Sequence, residues 1–366
     1  MMDELIPNNK QTTPIIPHSR PTLGHEEIQR VSEVLESGQL AQGQMAAKFE
    51  TAFARKMNVG YAASVSSGTA ALHLTLLALK IGPKDEVIIP SFVCSALLNA
   101  VNYVGARPVL AEIDPATYNL DPVDVKNRLT RRTRAIIVPH LFGLAADLES
   151  LSGLDVPIIE DCAQAAGAGY HQKQVGTLGQ AAIYSFYATK VLTTGEGGMI
   201  VSNSEELIQH VRRYRQYDKT DSYQIRFNYK MTDIQAAIGL CQLNRLDNFI
   251  CRRRAIAQNY HSALTSLDLR LPPRQSGHIY FRYVVGVGAD ARPWIRGLQA
   301  KGVGCARPVH TPLHRYLTRD GYPVTDKAWH ESLSIPIYPS LTDKESAGVI
   351  QSLIETSQEV TGANNY

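Results

Sequence analysis

Apolar residues follow two alternating rhythms along most of this chain. Short unbroken runs, VIIP at 87–90, RPVLAEI at 107–113, RAIIVPHLFG at 134–143 and VPIIED at 156–161, lack the polar alternation of a half-exposed strand. They predict strands buried on both faces, as in a parallel sheet. Between them lie segments rich in helix formers or spaced at the helical period: IQRVSEVLES at 28–37, AALHLTLLALK at 70–80, SALLNAVNYVG at 95–105 and DPVDVKNRL at 121–129. Strand and helix in this alternation predict an α/β fold, with a large domain whose mostly parallel sheet is covered by helices on both faces. The character changes near Asn244. A long charged helix, the pair Pro272-Pro273, a strand in HIYFRYVVGV, a helix in RPWIRGLQAKG and a last helix after Thr342 predict a smaller C-terminal α+β domain. The expected division is 1–245 for the large domain with its N-terminal segment and 246–366 for the small one. A length of 366 residues makes two domains the default.

Composition narrows the function classes. With 44% hydrophobic and 19% charged residues the chain reads as soluble and globular, and a formal charge of +3 creates no field that would hold nucleic acid. The arginine clusters RLTRRTR at 128–134 and Arg252 to Arg254 lack interleaved aromatics and read as solvated faces. Val87 to Ala106 is uncharged for twenty residues, but Pro90, Ser91, Ser95, Asn99, Asn102 and Gly105 interrupt it, so no membrane span is expected. The five cysteines, Cys94, Cys162, Cys241, Cys251 and Cys305, are odd in number and never spaced C-x-x-C. That argues against a disulfide framework or a metal knuckle and for a reducing, cytoplasmic setting. The N-terminus, MMDELIPNNKQTTP, has acids where a signal peptide carries bases. His310 and His314 are four apart, but Pro308 and Pro312 deny them the helix that a metal pair needs, so no metal is expected.

Three stretches carry candidate chemistry. In the segment 181–203, AAIYSFYATKVLTTGEGGMIVSN, Lys190 stands where an apolar strand gives way to a glycine-rich turn. It is either a loop-edge surface lysine or a desolvated amine available as a Schiff-base nucleophile. Ser66-Ser67-Gly68-Thr69 opens a helix with apolar residues all round, directly after the strand Tyr61 to Val65. Free N–H groups and the positive end of a helix dipole bind phosphate there, although an ordinary Ser/Thr cap needs no ligand. Asp161 ends an apolar strand with no basic neighbour in sequence. An unpaired carboxylate in such surroundings is costly, and the pyridinium nitrogen of pyridoxal phosphate is a cation that would remove the cost. Gly167-Ala168-Gly169 lacks the third glycine and the strand–turn–helix setting of a dinucleotide fingerprint.

Taken together, SSGTAALHL, PSFV, EIDPATYNLDP, IIEDCAQAAGA, SFYATKVLTTGEGGM and NYKMTDIQAAIGLCQL resemble the DegT/StrS-type sugar aminotransferases, which share the fold of aspartate aminotransferase. The resemblance runs in order from Pro21 to the Ile335-Pro336-Ile337-Tyr338-Pro339 segment. It implies a pyridoxal 5'-phosphate-dependent transaminase that takes an amino group from an amino acid, L-glutamate by expectation, and passes it in a second half-reaction to a keto sugar, expected to be nucleotide-linked. Lys190 would hold the cofactor as an internal aldimine and move the proton. Asp161 would bind the ring nitrogen, Gln164 would approach the ring hydroxyl, and Phe92 would stack on the ring. Backbone N–H groups of Gly68 and Thr69, with the hydroxyl of Ser185, would hold the phosphate. Asn228 would reach the phosphate of a neighbouring subunit, which implies a homodimer with shared sites. Tyr187 and His314 are implied as substrate neighbours. A lysine at 190 and ungrouped cysteines argue against the sugar 3-dehydrases of the same family. The chain departs from the family pattern at Arg215-Gln216-Tyr217-Asp218, Lys230, Gln180 and the turn at His171-Gln172, and the first departure bears on which sugar is taken. A related enzyme acting on a cyclitol or an aminobenzoate precursor, and a cofactor-binding sensor without turnover, are the alternatives.

Overall fold

The computed structural model describes residues 16–218 and 222–362, with the side chains of 361 and 362 left aside. Seven strands form the central sheet: β1 (Tyr61–Val65), β2 (Glu86–Pro90), β3 (Arg107–Ala111), β4 (Thr133–Pro139), β5 (Ile158–Asp161), β8 (Ala181–Ser185) and β9 (Gly198–Ser202). The hairpin strands β6 (Gly169–Tyr170) and β7 (Lys173–Gln174) lie between β5 and β8 in sequence and pair with each other. The order across the sheet is β1-β9-β8-β5-β4-β2-β3. Strands β3, β2, β4, β5 and β8 pair in parallel, whereas β9 runs antiparallel to both β8 and β1. Six strands therefore point the same way, and β1, β2, β5 and β8 deliver their carboxyl ends to one edge.

The unalternating sequence runs have a simple physical outcome. Every residue of β2 and of β9 is buried, because helices cover both faces of the sheet. The helix Gly68–Ala78 lies on one face with His25–Ser37 and Gln44–Met57 elsewhere around the sheet, and its buried residues run all round it. Full burial of Ile88, Ile89, Ile136 and Ile137 contributes about 1.5–3 kcal/mol each relative to exposure.

The smaller unit is built on β10 (Tyr283–Gly286) and β11 (Ser332–Ile335), an antiparallel pair, with the helices Leu246–Leu264, Ala291–Ala300 and Asp343–Gly362. Its core gathers Ile256, Tyr260, Tyr283, Trp294, Leu333 and Leu353. The helix Leu246–Leu264 bridges the two cores: Leu246 and Ile250 pack with the large sheet, and Ile256, Tyr260 and Leu264 with the small one. Ile16, assigned by sequence to the large domain, pairs with Val303 and packs in the small core. No helix among the described residues is long and apolar enough to cross a membrane.

Candidate active site

Asp161 is the last residue of β5, and Lys190 follows the end of β8, the strand beside it. Main-chain geometry holds the lysine, whose N–H donates to the Tyr187 carbonyl at 2.9 Å. The two side chains act on each other electrostatically. Burial pushes the Asp161 carboxyl above its ordinary value, against the opposing pull of the Ala163 N–H, Lys190 and His140. Burial lowers the affinity of Lys190 for its proton, the Arg282 guanidinium adds to this, and Cys94 and Asp161 oppose it. A half-buried, destabilised ammonium is a nucleophilic amine close at hand. One oxygen of Asp161 accepts the Ala163 N–H at 3.0 Å, and the other has no hydrogen-bond partner among the described residues.

The strand that carries Asp161 is fixed from its opposite face. Glu160 is fully buried and accepts from the N–H groups of Gly176 at 2.6 Å and of Leu178 and Gly179 at 2.7 Å. His140 completes the set. Its Nδ1 accepts the Ala146 N–H at 3.0 Å, so the proton sits on Nε2, which donates to Glu160 at 3.0 Å. These bonds hold the Glu160 carboxyl below its ordinary range despite burial. The proximity of His140, Glu160 and Cys162 is thus a hydrogen-bonded lock, in which the lone pairs a metal would need are already engaged.

At the neighbouring strand end, Ser67 caps the helix Gly68–Ala78 by accepting the Ala70 N–H at 3.0 Å. The N–H groups of Gly68 and Thr69 have no acceptor among the described residues. Ser185 lies directly against this turn: a Cβ placed on Gly68 would stand 2.8 Å from Ser185 Cβ. Two free N–H groups, a helix N-terminus and a hydroxyl converge, which is a ready anion cradle. Gly68→Ala is expected to push Ser185 aside at a cost of about 1–3 kcal/mol. Cofactor titration by fluorescence should register binding weakened about tenfold or more; unchanged affinity would remove the cradle from this turn.

Gln164 also faces this region. Its Oε1 accepts the Phe142 N–H at 2.9 Å, which fixes the amide and leaves the NH2 group as a donor. Tyr187 is 48% exposed and open to a ligand. Asn228 is exposed on the extended stretch after residue 222.

Two expectations are corrected. Phe92 has 0% exposure; its ring stacks on Tyr118 at 5.7 Å and meets Phe142 edge-on at 6.5 Å. A ring lining a cofactor cavity would be open on that side, so Phe92 is core, and the exposed residue nearer Lys190 is Cys94. His314 is 3% exposed with both ring nitrogens engaged, Nδ1 with Ser91 Oγ at 2.7 Å and Nε2 with Asp326 at 3.2 Å. It clamps the short helix Leu313–Tyr316 to the end of β2 and has no free nitrogen for a substrate. The departure at Arg215 also has a structural account, since that side chain is buried in a pair with Glu50 at 2.6 Å. His171 occupies a left-handed turn at φ 52°, a conformation that favours glycine.

Sequence reasoning missed Glu160, His140, Cys94 and Arg282. An arginine inside the apolar run HIYFRYVVGV was a legible signal for the last; the others depend on which strand ends meet.

Known proteins resemble this chain in sequence and in fold. The sequence profile of the DegT/DnrJ/EryC1/StrS aminotransferase family matches residues 21–354. The chain is 35% identical over 356 residues to GDP-perosamine synthase of Escherichia coli O157:H7, covering 93% of this chain and 98% of that protein. It superposes on the aminotransferase TlmJ of Streptoalloteichus hindustanus with a TM-score of 0.91 at 34% identity, covering 95% of this chain and 100% of that one. Spr1654 of Streptococcus pneumoniae in its PMP form gives a TM-score of 0.91 at 25% identity, over 96% of this chain and 100% of that one.

Proposed function

The chain belongs to the DegT/DnrJ/EryC1/StrS aminotransferase family of pyridoxal-phosphate-dependent transaminases, and from that premise we propose that it moves an amino group from L-glutamate to a nucleotide-linked keto sugar. The observation that carries this reading is the buried Asp161 carboxylate, which lacks a full partner at the same sheet edge where Lys190 is a desolvated amine. The perosamine synthase likeness supports a nucleotide-linked sugar as acceptor.

The residues fit the cofactor. The orphan carboxylate of Asp161 suits a protonated ring nitrogen, the free amide donor of Gln164 suits a ring hydroxyl oxygen, and the Gly68, Thr69 and Ser185 cradle suits a phosphate. When bound, pyridoxal phosphate supplies the carbonyl that takes up the amine and the electron sink for the substrate carbon. The protein supplies the rest. Lys190 Nζ, kept short of its usual basicity, attacks as a free amine and then serves as the base and acid that moves the substrate proton. Asp161 holds a positive ring by charge, and the lock through Glu160 and His140 keeps β5 from shifting under it. Tyr187 stands at the opening, where a sugar would enter. Asn228 of a second copy completes the phosphate cradle, so the working unit is a homodimer, placed in the cytoplasm.

Two measurements test this. Purified holoenzyme should change its near-ultraviolet absorbance on adding L-glutamate and release 2-oxoglutarate. A panel of nucleotide-linked keto sugars should then yield an amino sugar by mass spectrometry. Amination of a cyclitol with no sugar turned over would sink the acceptor assignment, and no response to any amino acid would sink the reaction.

A further inference from the structure

Behind Lys190 lies a narrow cavity bounded by Thr189, by His18 of the N-terminal segment, and by Arg253, Arg282, Ser334 and Tyr338. The geometry points to this cavity as a second site, which binds one monovalent anion between Arg253, Arg282 and Tyr338.

The first argument is unmet hydrogen bonding. Arg253 is 3% exposed and projects from the helix Leu246–Leu264. One guanidinium nitrogen donates to the carbonyls of Ile337 at 2.8 Å and Phe281 at 3.1 Å, but the buried Nε has no partner. Tyr338 is 1% exposed, and its buried hydroxyl also has none. Both orphaned donors belong to residues that line the one cavity.

The second argument is charge. The third arginine of the lining, Arg20, lies over the Tyr338 ring and pairs with Glu345 at 3.6 Å, but no aspartate or glutamate among the described residues pairs with Arg253 or Arg282. Arg282 donates instead to the His18 ring, at 2.9 Å to Nε2, and Ser334 Oγ lies 2.9 Å from the same nitrogen. His18 brings no counter-charge, because burial and the nearby Arg282 depress its pKa to about 3. Burial likewise drives Arg253 down to about 9 and Arg282 to about 10. Two guanidinium groups flank the Phe281 ring, Arg282 at 5.4 Å and Arg253 at 5.9 Å from its centroid, with Lys190 Nζ also at 5.4 Å. A ring face and main-chain carbonyls offset part of this positive charge but do not cancel it. Water would satisfy the two orphaned donors; only an anion also answers the charge. The cavity has room for a single small group, which suits a halide or the end of a carboxylate.

The same anion would act on the chemistry next door. Arg282 lowers the proton affinity of Lys190, while Cys94 and Asp161 raise it. An anion against Arg282 damps the first effect, so Lys190 keeps its proton to higher pH when the cavity is filled.

Bromide is the probe. In crystals of the holoenzyme grown with bromide, an anomalous peak is expected within hydrogen-bond distance of Arg253 Nε and Tyr338 Oη. In solution, bromide at constant ionic strength should raise the thermal midpoint of the holoenzyme saturably. Tyr338→Phe and Arg282→Gln should each weaken that response at least fivefold; if the arginine variant does not fold, the tyrosine variant decides. Displacement of bromide by glutarate identifies the natural occupant as the carboxylate of an amino donor, and retention identifies it as a free halide. No anomalous peak, with a midpoint that follows ionic strength alone, overturns the site. None of these readouts uses turnover, so they stand or fall separately from the proposed reaction; only the glutarate arm rests on it.

Discussion

Lys190→Ala is expected to lower turnover by about 10,000-fold or more, the upper end of what a positioned acid–base group contributes, because the same nitrogen is also the nucleophile. Borohydride reduction of wild-type holoenzyme should leave the cofactor covalently on the peptide that contains Lys190, and the variant should release it on denaturation. Stability should move the other way. Burial lowers the lysine's pKa from 10.5, so between that lowered value and 10.5 the unfolded chain binds more protons than the folded one. Stability therefore rises with pH through this window, and below it the folded protein bears the full cost of a desolvated ammonium. The cofactor-free alanine variant should melt no lower than wild type at neutral pH, with the difference closing as the pH approaches 10.5. Residual turnover above one part in about 100 would show that another group moves the proton.

Asp161→Asn separates function from stability just as sharply. Loss of the charge that holds a protonated ring should reduce turnover by about 100- to 1,000-fold, the usual cost of removing one preorganised electrostatic group. Cofactor affinity should fall about tenfold to 100-fold, since a hydrogen bond to a charged group is worth about 1.5–3 kcal/mol. In the cofactor-free protein the sign reverses. The folded pKa of Asp161 lies above 3.8, so between 3.8 and that raised value the folded chain binds more protons, and stability falls as pH rises. Above that raised value the penalty is complete, and there the asparagine variant should melt higher than wild type. Below 3.8 both are uncharged and should melt alike. Equal melting at every pH above 3.8 would mean that Lys190 already compensates the carboxylate, and the case for a missing cation would fail.

The chemistry most legible in the sequence was chemistry tied to a strand end. Asp161 and Lys190 each follow an apolar run of four or five residues, and in a parallel sheet such positions share an edge. The turn at Gly68 was legible for the same reason. Phe92 and His314 were misread because family spacing gives position along the chain and not the direction of a side chain. Phe92 follows β2 by two residues, as a site residue could, yet its ring turns inward to Tyr118, while Cys94 two residues later stays open. His314 looked free in a proline-rich stretch, and folding brings Ser91, 223 positions away, and Asp326, 12 positions on, to its two nitrogens.

The sequence by itself determined the alternation of buried strands and covering helices, and it set an acid and an amine after two apolar runs. These follow from local periodicity and from the cost of isolated charge, both written in neighbouring residues. Tertiary structure alone decided the lock on Glu160, the Gly68–Ser185 contact, and the cationic cavity where His18 meets Arg282 across 264 positions. Their energies arise from groups far apart in the chain, whose distance and burial no local pattern encodes.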